Sequence, residues 1–324
     1  MKIEKNVSLK KYSTFRVGGV AKFFCLVSNL AELEEALKLA ANKNDRVFVL
    51  GGGSNVLFGD DGFNGLVIKI ENKKIDIEGT DIICGAGLRL SKLLSFSMEN
   101  DLVGLEWAAG IPGTVGGAIR GNAGAFGGEM KDHLRSVKVL KIDKERIEKK
   151  ENISTDRKNY GNLLQEEIFD SHQCRFGYRS SIFKQERDLI IWEVRLNLAS
   201  GNGRLSEEKI KEIIEKRKSK QPSEPSAGSV FQNPTVEPAL VNVFEKDQEM
   251  KCRDNKVPAG WLIEEVGLRG KKIGGAQVSE KHANFIVNNG DATAEDVIML
   301  ISLIKQKVRR YFNVQLREEI EIVI

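Results

Sequence analysis

The sequence predicts a mixed α and β fold of two or three domains. The chain has 324 residues, and domains commonly run to roughly 100–200 residues each. Helical periodicity and short apolar runs occur in the same stretches of chain, so helices and strands share domains. Two glycine-rich segments interrupt the strand-bearing part, where neither a helix nor a strand continues.

The elements follow in order. Leu30, Leu33, Leu37 and Ala40 lie on one helical face before Asn44, with Ser28 or Asn29 as N-cap. Arg46–Leu50 is a short buried strand that runs straight into the loop of residues 51–55, and residues 65–70 form a further strand. From about residue 72 to 200 the chain is strand-rich and broken by glycines, with one helix near residues 88–100. Ile210, Ile213 and Ile214 define an amphipathic helix, which Ser206 is expected to cap with acids in the first turn. Lys220-Gln-Pro-Ser-Glu-Pro-Ser marks a boundary, because its prolines and serines cannot continue that helix. Within residues 235–257, Pro238 suits a first helical position, and residues 239–244 are expected to form one or two turns. The last helix starts at Thr293, with Asp296 at the capping-box spacing, and turns Val297, Leu300, Ile301, Ile304 and Val308 inward. Residues 314–324 alternate as a terminal strand does.

Composition narrows the function. Apolar residues are 41% and charged residues 30% of the chain, as in globular rather than disordered proteins. Cys25, Cys84, Cys174 and Cys252 lie far apart with no paired spacing, which points to reduced thiols and not to a zinc site or a disulfide framework. No metal is expected. The N-terminus lacks an apolar signal core, and no apolar run reaches the roughly 18 residues of a membrane span. A cytoplasmic protein is therefore expected. The net charge of +4 is too mild to imply nucleic acid, yet it suits an anionic small molecule. Nothing in the sequence calls for an obligate protein partner.

The chemistry lies in the glycines. Residues 110–128, Gly-Ile-Pro-Gly-Thr-Val-Gly-Gly-Ala-Ile-Arg-Gly-Asn-Ala-Gly-Ala-Phe-Gly-Gly, are the densest signal, and Gly51-Gly-Gly-Ser-Asn55 is the second. Glycine lets backbone N–H groups approach phosphate oxygens closely. Neither segment is a P-loop or a Rossmann fingerprint, and each alone is also what a tight turn requires. Together they favour a dinucleotide held by backbone amides on a non-Rossmann fold.

Several segments resemble the UDP-N-acetylenolpyruvoylglucosamine reductases. They are Leu50-Gly-Gly-Gly-Ser-Asn-Val-Leu57, Gly104-Leu-Glu-Trp-Ala-Ala-Gly-Ile-Pro-Gly-Thr-Val-Gly-Gly117, Asn122-Ala-Gly-Ala-Phe-Gly127, Phe176-Gly-Tyr-Arg-Ser-Ser181 and Ala227-Gly-Ser-Val-Phe-Gln-Asn-Pro234. Ala259-Gly-Trp-Leu-Ile-Glu, Gly274-Gly-Ala-Gln-Val-Ser and Lys281-His-Ala-Asn-Phe-Ile-Val-Asn add to the resemblance. It runs in order from Tyr12-Ser-Thr-Phe-Arg-Val-Gly-Gly19 to the terminal strand.

The resemblance implies an α+β, FAD-linked-oxidase (PCMH-type) two-lobed FAD-binding fold plus a C-terminal α+β substrate-binding domain. The first lobe would comprise residues 1–70 with 313–324, the second 71–218, and the substrate domain 219–312. It further implies non-covalent FAD contacted by Gly51, Gly52, Gly53, Ser54, Asn55, Gly113, Thr114, Gly116, Gly117, Asn122 and Gly124. NADPH would be the co-substrate, and UDP-N-acetylglucosamine enolpyruvate would be reduced to UDP-N-acetylmuramate for peptidoglycan synthesis. The family's catalytic positions carry over to Arg179, Ser229 and Glu319, with Ser229 as proton donor, and its substrate contacts to Lys220 and Asn233. From local sequence alone, Arg179 also reads as an ordinary ion-pair residue, Ser229 as a turn residue and Lys220 as a solvated charge at a helix end. Strict alternation puts Glu318 with Leu316 and Ile320 and sends Glu319 to the opposite face, so a core-facing Leu316 selects Glu319. His282 is expected to be structural. Residues 191–220 are short and lack tyrosine, as in the shorter (type II) form of the family, whereas 235–257 is an extra insertion for that form. Two alternatives keep parts of this reading: an FAD-linked oxidase of another small molecule, or a catalytically idle nucleotide-binding scaffold.

Overall fold

The computed structural model describes residues 1–143 and 163–324. These divide into two compact units, and the chain crosses between them more than once.

Unit 1 comprises Met1–Val7, Ala21–Gly52 and Asn64–Arg217. Its first sheet has the strand order Ile3–Ser8, Val20–Val27, Phe63–Ile70, Arg46–Leu50. Helix α1 (Leu30–Lys43) links the second strand to Arg46–Leu50 and buries Leu33, Ala36, Leu37 and Ala40. Asn29 is its N-cap, accepting from the Glu32 amide at 3.0 Å, and Asn44 ends it in the left-handed region at φ 53°. Arg46–Leu50 then pairs parallel with residues 65–69, and the chain crosses over between them by way of the short strand Val56–Phe58, parallel neighbours needing a crossover connection.

The second sheet of unit 1 is antiparallel throughout, in the order Leu164–Phe169, Leu134–Ile142, Leu189–Asn197, Asp81–Gly85, Ile75–Glu78. Among the described residues, helices α2 (Leu90–Glu99), α3 (Val115–Gly121), α4 (Ile182–Gln185) and α5 (Gly203–Lys220) follow. One apolar cluster joins Phe23, Leu66 and Ile68 of the first sheet to Leu93, Ile119, Val137 and Val194 around the second. Residues from both expected lobes therefore share a core within unit 1. Part of the expected second lobe, residues 144–162, lies outside the described residues.

Unit 2 comprises Ser8–Val20, Gly53–Phe63 and Lys218–Ile324. Its sheet has the order Ser226–Ser229, Phe285–Asn288, Ala276–Val278, Lys272–Ile273, all antiparallel. Helices α6 (Pro238–Gln248), α7 (Ala259–Glu265) and α8 (Ala294–Phe312) belong to it. The capping box of α8 is as the sequence predicts: Thr293 Oγ1 accepts from the Asp296 amide at 3.0 Å, and Asp296 accepts from the Thr293 amide at 3.0 Å. Phe15, Val17 and Leu57 lie in the same apolar cluster as Leu300, Ile304, Leu316 and Ile320. Those shared contacts explain why Ser8–Val20 and Gly53–Phe63, and the C-terminal strand with them, group with unit 2.

Two local expectations fail. The terminal strand is only Glu321–Val323, parallel to Val56–Phe58; before it, only an isolated bridge joins Phe231 and Glu318. Alternation recorded which side chains are buried, and that does not require ladder pairing. Ser206 is not a cap. Asn202 Oδ1 accepts from the Arg204 amide at 2.9 Å, so α5 starts earlier and no acid lies in its first turn. Ser206 is a buried residue inside the helix, donating to Glu106 at 2.5 Å. Helix α6 starts with Pro238 at its first turn as expected, but runs on to Gln248.

Candidate active site

In unit 1 the two glycine-rich segments touch. A side chain at Gly52 would place its Cβ 2.6 Å from the Gly113 Cα, and one at Gly51 would meet Thr114 Oγ1 at 2.6 Å. Backbone lies against backbone there, a contact only glycine permits. Thr114, 4% exposed, caps α3, and its hydroxyl accepts from the Gly117 amide at 3.4 Å.

Asn122 closes α3 in the left-handed region at φ 42° and is fully buried. Its side-chain amide donates to Glu129 Oε2 at 2.9 Å and to the Gly177 carbonyl at 3.0 Å, while its oxygen accepts from the Lys131 amide at 3.1 Å. Arg179 Nη2 donates to the Gly124 carbonyl. Ser181 Oγ donates to the Arg120 carbonyl at 2.6 Å, and Lys184 Nζ to the Arg179 carbonyl at 2.9 Å. These bonds stitch the Phe176–Ser181 segment to the glycine-dense one, though some 55 residues separate Gly124 from Arg179. The structure thus brings Gly51, Gly52, Gly113, Thr114, Gly116, Gly117, Asn122, Gly124 and Arg179 into unit 1.

A second constellation lies in unit 2. Gly228, at φ 78°, turns the chain so that the pairing of Ser226 with Val287 and of Ser229 with Phe285 is out of step. Beyond Ser229 the chain is held on both sides. The Val230 amide donates to the Asn284 carbonyl at 2.8 Å, and the Val230 carbonyl accepts from the Glu319 amide at 2.7 Å. Asn55 Nδ2 donates to the Glu319 carbonyl at 3.0 Å, and the Asn55 carbonyl accepts from the Glu321 amide at 3.0 Å. Asn55, Ser229 and Glu319, distant in sequence, are neighbours. Gly53 has φ 64°, and a Cβ on it would lie 1.8 Å from the Tyr12 carbonyl oxygen. Its own carbonyl accepts from the Thr14 amide at 3.0 Å, which turns the adjoining Ser54 N–H the opposite way.

Leu316 and Ile320 are buried at 1% and 4% exposure. Glu318, the apparent misfit, is taken up by Lys305 of α8 at 2.7 Å. Asn233 uses its amide oxygen to accept from the Ala259 amide at 3.0 Å, at the start of α7. Lys220 is exposed and is the last residue of α5. His282 accepts from the Asn284 amide at 3.2 Å and packs on Phe285, and burial holds its imidazole below the ordinary value.

Sequence reasoning passed over two residues. Asn284 accepts from the Phe231 amide at 3.0 Å and donates to the Phe231 carbonyl at 2.8 Å, fixing the segment just after Ser229. Its place in the Lys-His-Ala-Asn motif was the available signal. Arg217 continues the buried stripe of Ile210 and Ile213 at the next helical repeat, where an apolar residue is due. Its Nε and Nη2 are buried with no hydrogen-bond partner among the described residues. The chemistry of unit 1 fits an anionic dinucleotide: close backbone loops, and a buried cationic edge beside them. No histidine lies in residues 51–55 or 110–128.

These features define a flavin-binding protein, and the comparisons agree. A family model described as an FAD binding domain matches residues 21–149. A second, described as the C-terminal domain of UDP-N-acetylenolpyruvoylglucosamine reductase, matches residues 220–323. The chain is 37% identical to the UDP-N-acetylenolpyruvoylglucosamine reductase of Caldanaerobacter subterraneus subsp. tengcongensis, covering 99% of this chain and 94% of that protein. It is 38% identical to that of Alkaliphilus oremlandii, covering 97% and 91%. Among solved structures it is similar to the enzyme from Thermus caldophilus, with TM-score 0.75, 32% identity and 100% of both chains covered. The chain belongs to the UDP-N-acetylenolpyruvoylglucosamine reductase family.

Proposed function

We propose that this chain catalyses the FAD-dependent, NADPH-driven reduction of UDP-N-acetylglucosamine enolpyruvate to UDP-N-acetylmuramate in the cytoplasm. What chiefly supports it is the full-length relationship to the family, joined to the stitching of the Arg179 segment onto the glycine loops. Among the described residues no helix is long and apolar enough to cross a membrane.

When bound, FAD supplies the relay of two electrons from NADPH to the vinyl carbon of the enolpyruvyl group. We assign to the cofactor Gly51, Gly52, Gly53, Ser54, Asn55, Gly113, Thr114, Gly116, Gly117, Asn122 and Gly124. In this reading residues 1–70 with 313–324 and residues 71–218 are the two flavin lobes, and residues 219–312 carry the sugar nucleotide. Reduction of a double bond conjugated to a carboxylate develops enolate charge, and the guanidinium of Arg179 stabilises that charge as it grows. Ser229 gives its hydroxyl proton to the α-carbon. A serine hydroxyl is a weak acid, which suits only a strongly basic carbon. Glu319, on the segment hydrogen-bonded to Val230, completes the catalytic set. Lys220 contributes charge to the substrate anion, and Asn233 orients it with the donor half of its amide.

An FAD-linked oxidase would reduce oxygen and leave the enolpyruvyl sugar unchanged. The test is to incubate purified protein with NADPH and the enolpyruvyl sugar nucleotide without oxygen, and to weigh the product. Gain of two hydrogens with matching NADPH loss supports the reading, and unchanged substrate contradicts it. The protein is expected to be yellow, and acid precipitation should release the colour into the supernatant. Colour retained in the pellet would mean a covalent flavin.

A further inference from the structure

The second glycine-rich loop ends at Asn55, which immediately precedes the short strand Val56–Phe58. That strand lies parallel to Glu321–Val323 in unit 2, with Val56 opposite Glu321. In a parallel pair a bonded residue reaches the two neighbours of its partner. The Glu321 amide accordingly donates to the Asn55 carbonyl at 3.0 Å. One step earlier the same pattern would give the Glu319 amide to the Gly53 carbonyl, and the Asn55 main-chain N–H to the Glu319 carbonyl.

The chain departs from that pattern at this step. The Gly53 carbonyl accepts from the Thr14 amide at 3.0 Å instead, and the Glu319 amide donates to the Val230 carbonyl at 2.7 Å. The Glu319 carbonyl is met by Asn55 Nδ2 at 3.0 Å, a side chain where the ladder would use a main-chain N–H. One residue thus holds both ends of the 319–321 segment. On the other side of that segment, the Gln232 amide donates to the Arg317 carbonyl at 3.0 Å, and Phe231 bridges Glu318. The stretch bearing Glu319 is therefore clamped between Asn55 and the residues that follow Ser229.

Stability alone does not account for that side chain. Asn55 is exposed, and an exposed neutral hydrogen bond contributes little net. The excursion Gly53–Phe63 has a stronger anchor elsewhere, because both Asp60 carboxylate oxygens accept from the first turn of α8. The Ala294 amide donates at 2.9 Å and the Glu295 amide at 3.0 Å. What the Asn55 bond adds is a fixed register between the excursion and Glu319, and through Val230 with Ser229. Catalytic groups lose rate steeply when displaced by about 1 Å.

We propose that the Asn55 side chain is a positioning residue for the Ser229–Glu319 pair and not a ligand of the cofactor. The glycine loop meets the flavin through main-chain groups, while this amide sets where the proton donor and its acidic neighbour stand. This inference rests on the flavoenzyme reading with Ser229 as proton donor. Wild-type reduced flavin that the enolpyruvyl sugar nucleotide does not reoxidise, or a Ser229→Ala variant that reoxidises normally, would sink that reading itself. The outcomes below concern Asn55 alone.

The experiment compares holoenzyme of wild type, Asn55→Asp, Asn55→Ala and Asp60→Ala by stopped-flow absorbance of both half-reactions without oxygen. Asn55→Asp keeps the shape but, ionised at pH 7, only accepts hydrogen bonds, so it cannot hold the Glu319 carbonyl. In both Asn55 variants, bleaching by NADPH should stay near the wild-type rate, and reoxidation should slow about 10- to 100-fold. The solvent deuterium isotope effect on reoxidation should rise, because proton donation becomes the slower part of that step. FAD affinity should hold within about threefold, and the melting temperature of Asn55→Ala within about 2 °C. Asp60→Ala is the control for a loosened excursion, and should melt about 2–6 °C lower with both half-reactions near wild type. Reoxidation at the wild-type rate in Asn55→Asp would overturn the proposal. FAD affinity weakened about tenfold or more would return the side chain to the cofactor and overturn it too. Equal slowing in Asp60→Ala, or an unchanged isotope effect in slowed Asn55 variants, would make general looseness the cause and also overturn it.

Discussion

Two arginine-bearing regions of unit 1 differ in how their charge is answered. On the second sheet, Arg195 Nε donates to Asp81 at 2.7 Å and Arg195 Nη2 to Glu78 at 2.6 Å. Asn197 donates to the other Asp81 oxygen at 2.7 Å, and Arg135 stands 3.2 Å from the same carboxylate. Every group there has a protein partner. Beside the glycine loops, Arg217 keeps one edge without a partner among the described residues. Charges that hold a fold together are satisfied by the fold, whereas a charge meant for a ligand is left for it. The contrast separates architecture from site without reference to relatives.

The largest effect expected falls on the site side. Ser229→Ala should leave flavin reduction by NADPH near the wild-type rate, yet slow reoxidation by the enolpyruvyl substrate about 10²–10⁴-fold. Cysteine at 229 should restore part of that rate, a thiol being the stronger acid with a pKa of about 8.5. The melting temperature should not move, since Ser229 is half-buried and its neighbour Val230 carries the backbone bonds. Stopped-flow absorbance of both half-reactions checks this, and equal slowing of both would mark a damaged fold.

On the architectural side the expectation reverses. Asp81 is buried, with 5% side-chain exposure, so Asp81→Ala should destabilise by on the order of 1–3 kcal/mol while flavin affinity holds. Burial alone would raise the Asp81 carboxyl. The hydrogen bonds from Asn197 and Arg195, with the charges of Arg135 and Arg195, outweigh it and hold the group below its ordinary value. Its stabilising contribution is therefore full above the unfolded pKa, about 4, and drains away as pH falls through the lower folded value. Denaturant melts from pH 6 to pH 2 should show that loss in wild type, and a flatter profile in Asp81→Ala.

The smallest effect concerns the excursion at residues 235–257. Helix α6 buries Val241 and Phe244, Phe244 meets Trp261 edge-on at 5.3 Å, and Asp247 accepts from the Trp261 indole at 2.8 Å. A Gly/Ser linker in place of residues 238–256 should raise the KM of the sugar nucleotide several-fold without changing FAD content. An unaltered KM would leave it as packing for Trp261 alone.

Much of this was legible in the sequence because it depends on local rules. The Asn29 and Thr293 caps, Pro238 at the head of α6 and the buried face of α8 all follow from spacing and side-chain chemistry. What failed depends on distant residues. Glu318 looked misplaced until Lys305 of α8 was seen beside it, and Ser206 looked like a cap until Asn202 and Glu106 claimed those bonds. The meeting of Asn55 with Glu319 spans 264 positions and rests on a bond from a side-chain amide to a backbone carbonyl that no periodicity encodes. Phe15 and Leu57 likewise share one apolar cluster with Leu300 and Ile304, far along the chain. Arg217 did leave a trace, a charge on the apolar stripe of α5.

The most direct measurement follows flavin absorbance in anaerobic holoenzyme through two additions. NADPH should bleach the flavin band, and UDP-N-acetylglucosamine enolpyruvate, added next without oxygen, should restore it with stoichiometric formation of UDP-N-acetylmuramate. A band that stays bleached until air is admitted would contradict the account and leave an oxidase in its place.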